Sequence, residues 1–243
     1  MPLHFLLDEP VEALPGDDVV LSGAEAHHAA TVRRVRVGEE VTVGDGRGAW
    51  LTGECTAVAP REVVVRVTAR ADVPAPAPRL VLVQALAKGD RDELAIQAAT
   101  ELGVDEIVPW QAARSVSRWD AAKAEKGRAR WAAIVREAAK QAHRAWVPAV
   151  SPLETTTTLA ARGAASRLLL LEPTAPERLT GLDLAGDRDV VLVVGPEGGI
   201  ATEELAALTD AGATPVRLGD TVLRTSTAGP AAISVASAAL GRW

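Results

Sequence analysis

A proline-rich segment divides the sequence into two stretches with different patterns. Residues 71–79 read ADVPAPAPR, with proline at 74, 76 and 78. Because proline fixes φ and lacks an amide donor, proline at every second position excludes a helix and favours an extended, semi-rigid spacer. The 243 residues are enough for two domains of ordinary size. We therefore predict a first domain over residues 1–72, a linker at 73–79 and a second domain over 80–243.

The stretch before the linker has a strand pattern. Strands are predicted at 3–7, 41–46, 49–58 and 62–67, and Gly-Asp-Gly-Arg-Gly at 44–48 is typical of a hairpin turn. A single helix is predicted at 24–36, after Ser22 and before Gly38. Short strands with one helix in about 70 residues favour a small β-barrel.

After the linker, strands and helices alternate. Strands are predicted at 80–86, 106–110, 167–171, 189–194 and 214–218, and helices at 90–102, 125–145, 202–211 and 227–240. Several strands, such as LVLVQAL and DVVLVV, are apolar throughout or nearly so, which indicates burial on both faces. Such strands separated by helices form a parallel sheet with helices on both sides. The second domain is therefore predicted to be α/β.

The charge of the chain is unevenly distributed. Its 26 Lys and Arg against 32 Asp and Glu give a formal net charge of −6, which taken alone argues against a nucleic-acid partner. Residues 114–144, however, carry a net charge of +6. We expect this band to confine a nucleic acid to one face of the molecule. Its basic residues are Arg114, Arg118, Lys123, Lys126, Arg128, Arg130, Arg136, Lys140 and Arg144.

The cysteine count and the N-terminal sequence bear on the compartment. Cys55 is the only cysteine, which excludes an intrachain disulfide and a zinc site with several cysteines. The start, MPLHFLLDEP, lacks the basic and apolar regions of a signal peptide, and no run approaches the roughly 18 apolar residues of a membrane helix. We therefore expect a soluble, cytoplasmic protein with neither a membrane nor a metal partner.

The segment DVVLVVGPEGGIATEEL, residues 189–205, is the clearest candidate for a ligand site. A buried strand runs into Gly-Pro-Glu-Gly-Gly at 195–199, and a helix follows. In open α/β sheets, ligands bind at the carboxyl ends of the strands, where glycines let backbone amides approach a ligand. A plain strand-to-helix turn is the alternative. The spacing is not GxGxxG, so the dinucleotide fingerprint is absent.

A second strand-to-helix loop, LGDTVLRTSTA, covers residues 218–228. Its Arg224, flanked by hydroxyl side chains just before a helix, can offer several donors to an anion or an electron-rich ring. An arginine beside Thr and Ser is more often part of a helix cap. Two glycine-containing loops at strand ends of one small sheet nevertheless predict a cleft.

The predicted helix at 125–145 has a cationic face. Arg136, Lys140 and Arg144 recur every four residues, and an apolar stripe lies opposite them. A solvated face is the alternative. The combination of these cations with interleaved aromatic residues suits phosphate contact with base stacking. The aromatic residues are Trp119, Trp131 and Trp146.

The predicted helix of the first domain is also basic. Its polar residues include His27, His28, Arg33, Arg34 and Arg36. Adjacent histidines point in different directions on a helix, which disfavours a metal site. RNA contact is the better functional interpretation, with a solvated helix as the alternative.

Five segments of the chain, in this order, resemble the RsmE-type 16S ribosomal RNA uridine-N3 methyltransferases of the SPOUT superfamily. Each is weakly specific alone, but together they span nearly the whole chain. The resemblance implies an N-terminal PUA-like β-barrel that binds RNA, a C-terminal α/β domain with a trefoil knot, S-adenosylmethionine as cofactor without a metal, a homodimer, and 16S rRNA of the small ribosomal subunit as partner. The knot is implied by the resemblance alone, because sequence periodicity carries no signal for a knot. The segments are HHAATVRRVRVGEEVTVGDGRG (27–48), KGDRDELAIQAATELGVDEIVPWQAARSV (88–116), RWAAIVREAAKQAHRAWVPAV (130–150), VVGPEGGIATEEL (193–205) and LGDTVLRTSTA (218–228).

The resemblance assigns cofactor-binding residues to three strand ends. The chain departs from the family at Lys140, where glutamate is usual, and at Ser226, where an acidic residue is usual. The second departure puts a catalytic carboxylate at position 226 in doubt. The residues carried over are Leu171, Glu172, Gly195, Pro196, Glu197, Gly198, Gly199, Leu218, Gly219, Leu223, Arg224 and Thr225.

Methylation of uracil N3 needs near-attack geometry and removal of the N3 proton. We expect Arg224 to stabilise the uridinate and Glu197 to take the proton, although a carboxylate favoured by a helix end is the alternative for Glu197. Two other functions are weighed: a noncatalytic RNA-binding ribosome-assembly factor, and a nucleotide-dependent oxidoreductase. A noncatalytic assembly factor would have no use for two glycine loops. An oxidoreductase would need a GxGxxG motif, which the sequence lacks after the first strand of its second domain. The predicted RNA contacts are His28, Arg33, Arg34, Arg36, Arg114, Arg136, Lys140 and Arg144.

Overall fold

The computed structural model describes residues 2–243, which form two compact units. Unit 1 contains the residues up to Ala75 together with Ala139–Val147, and unit 2 contains Pro76–Ala138 and Pro148–Trp243. The sequence pattern did not anticipate that residues 139–147 group with the first unit. They do so because their partners lie in that unit, as the contacts of Trp146 and Lys140 show below.

Unit 1 is built on a five-stranded sheet. The strands are β1 (Leu3–Leu6), β2 (Asp18–Ser22), β3 (Glu40–Gly44), β4 (Ala49–Ala59) and β5 (Glu62–Asp72), in the order β1-β3-β4-β5-β2. The two edge strands, β1 and β2, are not paired with each other within residues 2–243, so the predicted small barrel is a half-barrel. Inward apolar side chains from all five strands form its core, including Phe5, Leu21, Val43, Leu51 and Val65.

Local structure in unit 1 follows the predicted pattern with two additions. Strand β2 was not among the four strands located from the sequence. Helix α1 (Gly23–His27) continues directly into a π-helical stretch, His28–Arg33, and Arg34 then adopts a left-handed conformation with φ of +56°. The turn predicted at 44–48 joins β3 to β4 as an antiparallel pair.

Unit 2 is an α/β unit around a six-stranded, all-parallel sheet, as predicted. The strands are β6 (Leu80–Ala85), β7 (Glu106–Trp110), β8 (Ala149–Val150), β9 (Arg167–Leu171), β10 (Val190–Val194) and β11 (Thr214–Val216), in the order β11-β9-β10-β6-β7-β8. The helices are α2 (Arg91–Glu101), α3 (Ala121–Gln141), α4 (Thr156–Ala161), α5 (Thr202–Asp210) and α6 (Thr225–Ala239).

Helices cover both faces of this sheet. Val81 and Val193 on one face share a core with Leu159 of α4 and Leu208 of α5. On the other face α6 lies very close to β6, because a β-carbon at Gly229 would be only 3.0 Å from Leu82 Cδ1. Burial on both sides explains why the central strands are apolar at almost every position.

Helix boundaries differ from the predicted ones where a cap was overlooked. Helix α3 begins at Ala121 rather than 125, because Asp120 Oδ1 accepts a hydrogen bond of 2.9 Å from the Lys123 amide. Helix α5 begins at Thr202 with Ala201 at its N-cap, where Glu204 Oε2 accepts a hydrogen bond from the Ala201 amide at 3.3 Å. Helix α4, which the sequence pattern did not predict, begins with a capping box between Thr155 and Thr158.

Candidate active site

Three loops meet at the carboxyl edge of the sheet in unit 2. Leu171 at the end of β9 is in register with Val194 at the end of β10 and with Val216 at the end of β11, and Val194 is in register with Gln84 of β6. The loops that follow β9, β10 and β11 therefore leave the sheet side by side. This edge is where open α/β sheets bind their ligands.

The three loops enclose a cavity of about 470 Å³. All residues predicted to bind a cofactor line it except Gly198. The sequence pattern did not predict two of its arginines, Arg91 at the start of α2 and Arg217 directly after β11, because neither belongs to a glycine loop. The convergence of the two predicted glycine loops on one cavity is the main structural result for this site; ligand binding to them stays a prediction.

The structure constrains two of the glycines in these loops and leaves a third unconstrained. At Gly195 a β-carbon would lie 2.8 Å from Ile200 Cγ1, so the turn leaves no room for a side chain. Gly199 has φ of +71°, a left-handed conformation that favours glycine. Gly219 has neither constraint, since a β-carbon there would meet no protein atom within 4 Å. Its missing side chain leaves open space beside the backbone in the cavity wall.

Glu197 is held in place by donors from the loop before α2 and from the first residue of that helix. Its Oε1 accepts hydrogen bonds from the Lys88 amide at 3.0 Å and from Arg91 Nη1 at 2.7 Å. Burial raises the pKa of this carboxyl, but hydrogen bonds from its own amide, Lys88 and Arg91, together with the Arg91 charge, outweigh burial, and the net pKa is lowered. A carboxylate with a lowered pKa is a weak base.

Hydrogen bonds and ion pairs tie the loop after β11 to the segment after β9. Arg178 Nη2 donates to Asp220 Oδ1 at 2.9 Å, the Leu179 amide donates to the Arg217 carbonyl at 2.9 Å, and the Arg217 amide donates to the Glu177 carbonyl at 2.9 Å. Two walls of the cavity are thus fixed to each other independently of any ligand.

Arg224 stands at the N-cap of α6 and lines the cavity. Its side chain is exposed and has neither a hydrogen bond nor an ion pair within residues 2–243. The next residue, Thr225, is buried and donates through Oγ1 to the Gly195 carbonyl at 2.9 Å. The guanidinium is therefore available to a ligand while its backbone is anchored to the glycine loop.

The predicted cationic face of α3 is not a uniform exposed face. Lys140 is 5% exposed, and its Nζ donates to Glu25 Oε1 at 2.9 Å. Arg136 and Arg144 are half-buried and already have protein partners. Arg114 is exposed, and its Nη1 donates to the carbonyl of Gly198 at 3.1 Å, beside the glycine loop.

The three tryptophans predicted to stack on bases are engaged in the protein. Trp131 is 1% exposed and packs edge to face with Trp119, with ring centroids 5.3 Å apart. Trp146 Nε1 donates to the Val73 carbonyl at 2.9 Å, and its ring lies against Gly48. The stacking interpretation is therefore wrong for Trp131, because an amphipathic pattern alone does not separate a core tryptophan from a surface one.

The basic residues of the first predicted helix are more accessible. Arg33, Arg34 and Arg36 are exposed, and their guanidinium groups have no hydrogen bond or ion pair in the described part of the chain. His28 is half-buried with its ring edge against Phe5, at a centroid distance of 6.3 Å. Val32 and Val37 beside them are 59% and 64% exposed. The end of this helix is thus a mixed basic and apolar surface.

Residues 2–243 contain neither a metal-site cluster nor a membrane-spanning helix. No cluster of His, Cys, Asp or Glu has the arrangement of a metal site. No helix combines the length and the apolar character needed to cross a membrane.

A half-barrel unit and a parallel α/β unit with a strand-end cavity match two known domain families. The family model described as RNA methyltransferase domain matches residues 74–237, and the one described as RNA methyltransferase PUA domain matches residues 21–68. The protein is therefore of the RNA methyltransferase class, with a PUA-like unit and an α/β methyltransferase unit.

Full-length relatives narrow this class. The chain is 46% identical over 240 residues to ribosomal RNA small subunit methyltransferase E of Mycobacterium bovis, covering 96% of this chain and 92% of the relative. The chain is 31% identical to the Bacillus subtilis protein of that name, and the match covers 89% of this chain and 88% of the relative. A crystal structure from Neisseria gonorrhoeae, ribosomal RNA small subunit methyltransferase E bound to S-adenosyl methionine, superimposes with a TM-score of 0.86 at 28% identity, covering 99% of this chain and 98% of that one. The chain belongs to the ribosomal RNA small subunit methyltransferase E family.

Proposed function

We propose that this protein transfers the methyl group of S-adenosylmethionine to N3 of one uridine in the 16S rRNA of the small ribosomal subunit. The observation that carries the proposal is the cavity: two glycine loops that are distant in sequence, the second of which carries Arg224, line one space at the ligand-binding edge of the sheet. The names of the relatives and the S-adenosyl methionine bound to the Neisseria gonorrhoeae protein support it.

The cavity fits this cofactor in size and chemistry. Its volume of about 470 Å³ lies in the range of small-molecule sites. Leu171, Val194 and Leu218 offer apolar surface to a purine ring, and the backbone of the two glycine loops offers donors and acceptors to polar edges. The open space beside Gly219 allows a ligand to approach the backbone closely. When bound, S-adenosylmethionine supplies an electrophilic methyl group on its sulfonium.

Arg224 is the residue to which we assign charge stabilisation. The neutral imide nitrogen of uracil is a poor nucleophile, and its negative charge after loss of the N3 proton is spread onto O2 and O4. A guanidinium fixed at the cavity wall can donate to one of these oxygens as the charge develops. The side chain of Arg224 is exposed and has no hydrogen bond or ion pair to residues 2–243, which suits it to this role.

For Glu197 we propose a positioning role in place of the expected proton transfer. The carboxylate is already engaged by the Lys88 amide and by Arg91, and its pKa is lowered. These contacts hold the glycine loop against the start of α2.

For RNA binding we propose the exposed arginines of unit 1 together with Arg114. Arg33, Arg34 and Arg36 can reach phosphate without breaking an existing ion pair, and phosphate contacts supply most of the affinity of such interfaces. His28, Arg136 and Arg144 stay as predicted contacts. Lys140 is left out of the proposed surface because its ammonium is buried against Glu25.

We further propose that the protein is a cytoplasmic homodimer. Small-subunit rRNA is a cytoplasmic substrate in bacteria, and the resemblance to RsmE-type enzymes implies the dimer. Sedimentation equilibrium of the full chain tests the dimer: a monomer mass at micromolar concentration would refute it.

Mass spectrometry of small-subunit RNA from a deletion strain tests the reaction. We expect the loss of one 3-methyluridine, restored by the wild-type gene and not by a gene encoding Arg224→Ala. Calorimetry with S-adenosylmethionine and with NAD tests the cofactor, because an oxidoreductase would bind the second. Unchanged RNA modification together with intact subunit binding would instead indicate a noncatalytic assembly factor.

A further inference from the structure

Gln84 is a polar residue in an otherwise apolar, fully buried strand. Strand β6 reads LVLVQA, and Gln84 is 0% exposed. It lies in register with Val194, the last residue of β10 before the glycine loop. Its Oε1 is buried without a protein partner within residues 2–243. Because a buried polar atom without a partner is unfavourable, an apolar residue would suit the packing of this strand better.

The amide nitrogen of Gln84 begins a chain of hydrogen bonds between the two glycine-containing loops. Gln84 Nε2 donates to Thr225 Oγ1 at 2.9 Å, and Thr225 Oγ1 donates in turn to the Gly195 carbonyl at 2.9 Å. Gln84 Nε2 also lies 3.2 Å from the carbonyl of Ala85. Two of these partners, the Ala85 and Gly195 carbonyls, are main-chain atoms at strand ends, and the third is the hydroxyl of Thr225, the first residue of α6.

The two residues that receive these bonds belong to different cavity walls. Gly195 opens the loop after β10, and Thr225 follows Arg224, the N-cap of α6. A hydroxyl has one proton and two lone pairs, so Thr225 Oγ1 can accept from Gln84 Nε2 while it donates to the Gly195 carbonyl, and the donor on one side favours the orientation that points the proton to the other. Gln84 supplies that donor from beneath both loops.

We infer that Gln84 is a positioning residue that sets the relative placement of the glycine loop and Arg224 through Thr225. This inference rests on the proposed function, since it takes the cavity to be the S-adenosylmethionine site. Loss of the Gln84 donor frees the Thr225 hydroxyl to rotate and separates the two walls. The cofactor then binds a site that is no longer preorganised.

Calorimetric titration of the full chain with S-adenosylmethionine tests the inference. Gln84→Met keeps the side-chain length but removes the donor, and we expect the cofactor Kd and KM to rise about tenfold, the effect of one to two lost hydrogen bonds. The KM for RNA should change less than about twofold, because the lost hydrogen bond orders the cofactor cavity. Thr100→Val is the matched control, because it removes a buried hydroxyl that donates to Ile96 within α2, away from the cavity.

A second variant gives a signature that a packing defect does not produce. Glu at position 84 cannot donate as a carboxylate but can donate once protonated, and burial raises the pKa of a carboxyl. The affinity of Gln84→Glu for the cofactor should therefore improve as the pH falls from 8 to 6, relative to wild type. A loss that is independent of pH, or a Gln84→Met affinity equal to that of Thr100→Val, would overturn the inference.

Thr225 provides the test if the variants at position 84 do not fold. Thr225→Ser retains the bridging hydroxyl, whereas Thr225→Val keeps the shape without it, so the valine variant should bind the cofactor about tenfold more weakly than the serine variant. Equal affinities would refute the relay. Failure of the wild-type chain to bind S-adenosylmethionine at all would refute the proposed function instead.

Discussion

Lys140 and Glu25 form an ion pair with Nζ and Oε1 2.9 Å apart, although 115 residues separate them in sequence. The side chains are only 5% and 17% exposed. The pair joins the last turn of α3 to α1 inside unit 1. It gives a structural reason for lysine at position 140, because its ammonium neutralises a largely buried carboxylate from α1.

Removal of one partner should destabilise the protein strongly. Lys140→Met leaves the Glu25 carboxylate mostly buried without its cation, and we expect a loss of about 3 kcal/mol in the free energy of unfolding. Glu25→Gln combined with Lys140→Met should recover part of this loss. Urea unfolding measures both, with Arg33→Met as the control for removal of an exposed cation. Equal effects of Lys140→Met and Arg33→Met would contradict the structural role.

Arg224→Ala should lower the methylation rate at saturating cofactor. Loss of one donor to a developing oxyanion typically costs about 10²- to 10³-fold in kcat. Arg224→Lys should recover part of the rate, because it retains the charge without the planar fork. Single-turnover kinetics measures the chemical step, and Arg61→Ala, at an exposed position in unit 1, is the control. A full rate for Arg224→Ala would exclude the assigned role.

Glu197→Gln distinguishes a positioning carboxylate from a general base. Loss of the ion pair with Arg91 should weaken cofactor binding a few-fold, whereas removal of a general base should lower kcat about 10²- to 10⁴-fold. Because the pKa of Glu197 is lowered, the contacts it makes are fully present at neutral pH and are lost only in acid, as the pH falls through that lowered pKa. Titration of Glu197 should therefore contribute no pH dependence to the cofactor Kd of the wild-type protein between pH 8 and 5. Glu203→Gln, at an exposed position in α5, is the control.

Most of the fold follows from local patterns in the sequence. The central strands of unit 2 are apolar nearly throughout because helices cover both faces, so their positions and parallel pairing could be predicted. Strand β2 and helix α4 were not predicted: the apolar run Val19–Leu21 of β2 hides its alternation because the outward-facing Val20 is also apolar, and α4 begins at a threonine capping box that resembles low complexity. The trefoil knot, which has no periodic signal, stays a prediction from the resemblance.

The loops of the site were also recognisable, but the partners of individual side chains were not. Glycine loops at strand ends marked the cavity, because their chemistry is local. Lys140 and Trp131 looked like surface residues from helical spacing alone, and their burial depends on contacts distant in sequence. Gln84 is visible in the sequence as a polar residue within an apolar strand, and this feature alone indicates a buried hydrogen-bonding role.

Neutralisation of the exposed arginines in unit 1 should weaken RNA binding and its salt dependence. Each phosphate contact contributes about 0.7 to 0.9 to the slope of log K against log salt. Replacement of Arg33, Arg34 and Arg36 by Gln should therefore reduce the slope by about 2 to 3 if each contacts a phosphate. Fluorescence anisotropy with a small-subunit RNA fragment at several salt concentrations measures it, and Arg61→Gln is the single-site control. An unchanged slope would place the RNA on another surface.

His4 should make the stability of unit 1 depend on pH. Its ring is 6% exposed, stacks on Trp50 at a centroid distance of 4.3 Å and lies 2.9 Å through Nδ1 from Thr42 Oγ1. Burial, followed by the charges of His143 and Lys140, lowers its pKa from 6.5 to about 4. The unfolded chain therefore protonates His4 more readily than the folded protein does, so the stabilising contribution of the neutral ring is complete above pH 6.5 and falls by about 3 kcal/mol as the pH drops to 4.

Because carboxylates titrate in the same range, the effect of His4 is measured as a difference between variants. Urea unfolding of His4→Gln should show a shallower pH dependence than wild type, and His27→Gln, at an exposed position, should not. An identical pH dependence for all three proteins would show that the folded state tolerates the protonated ring at this position.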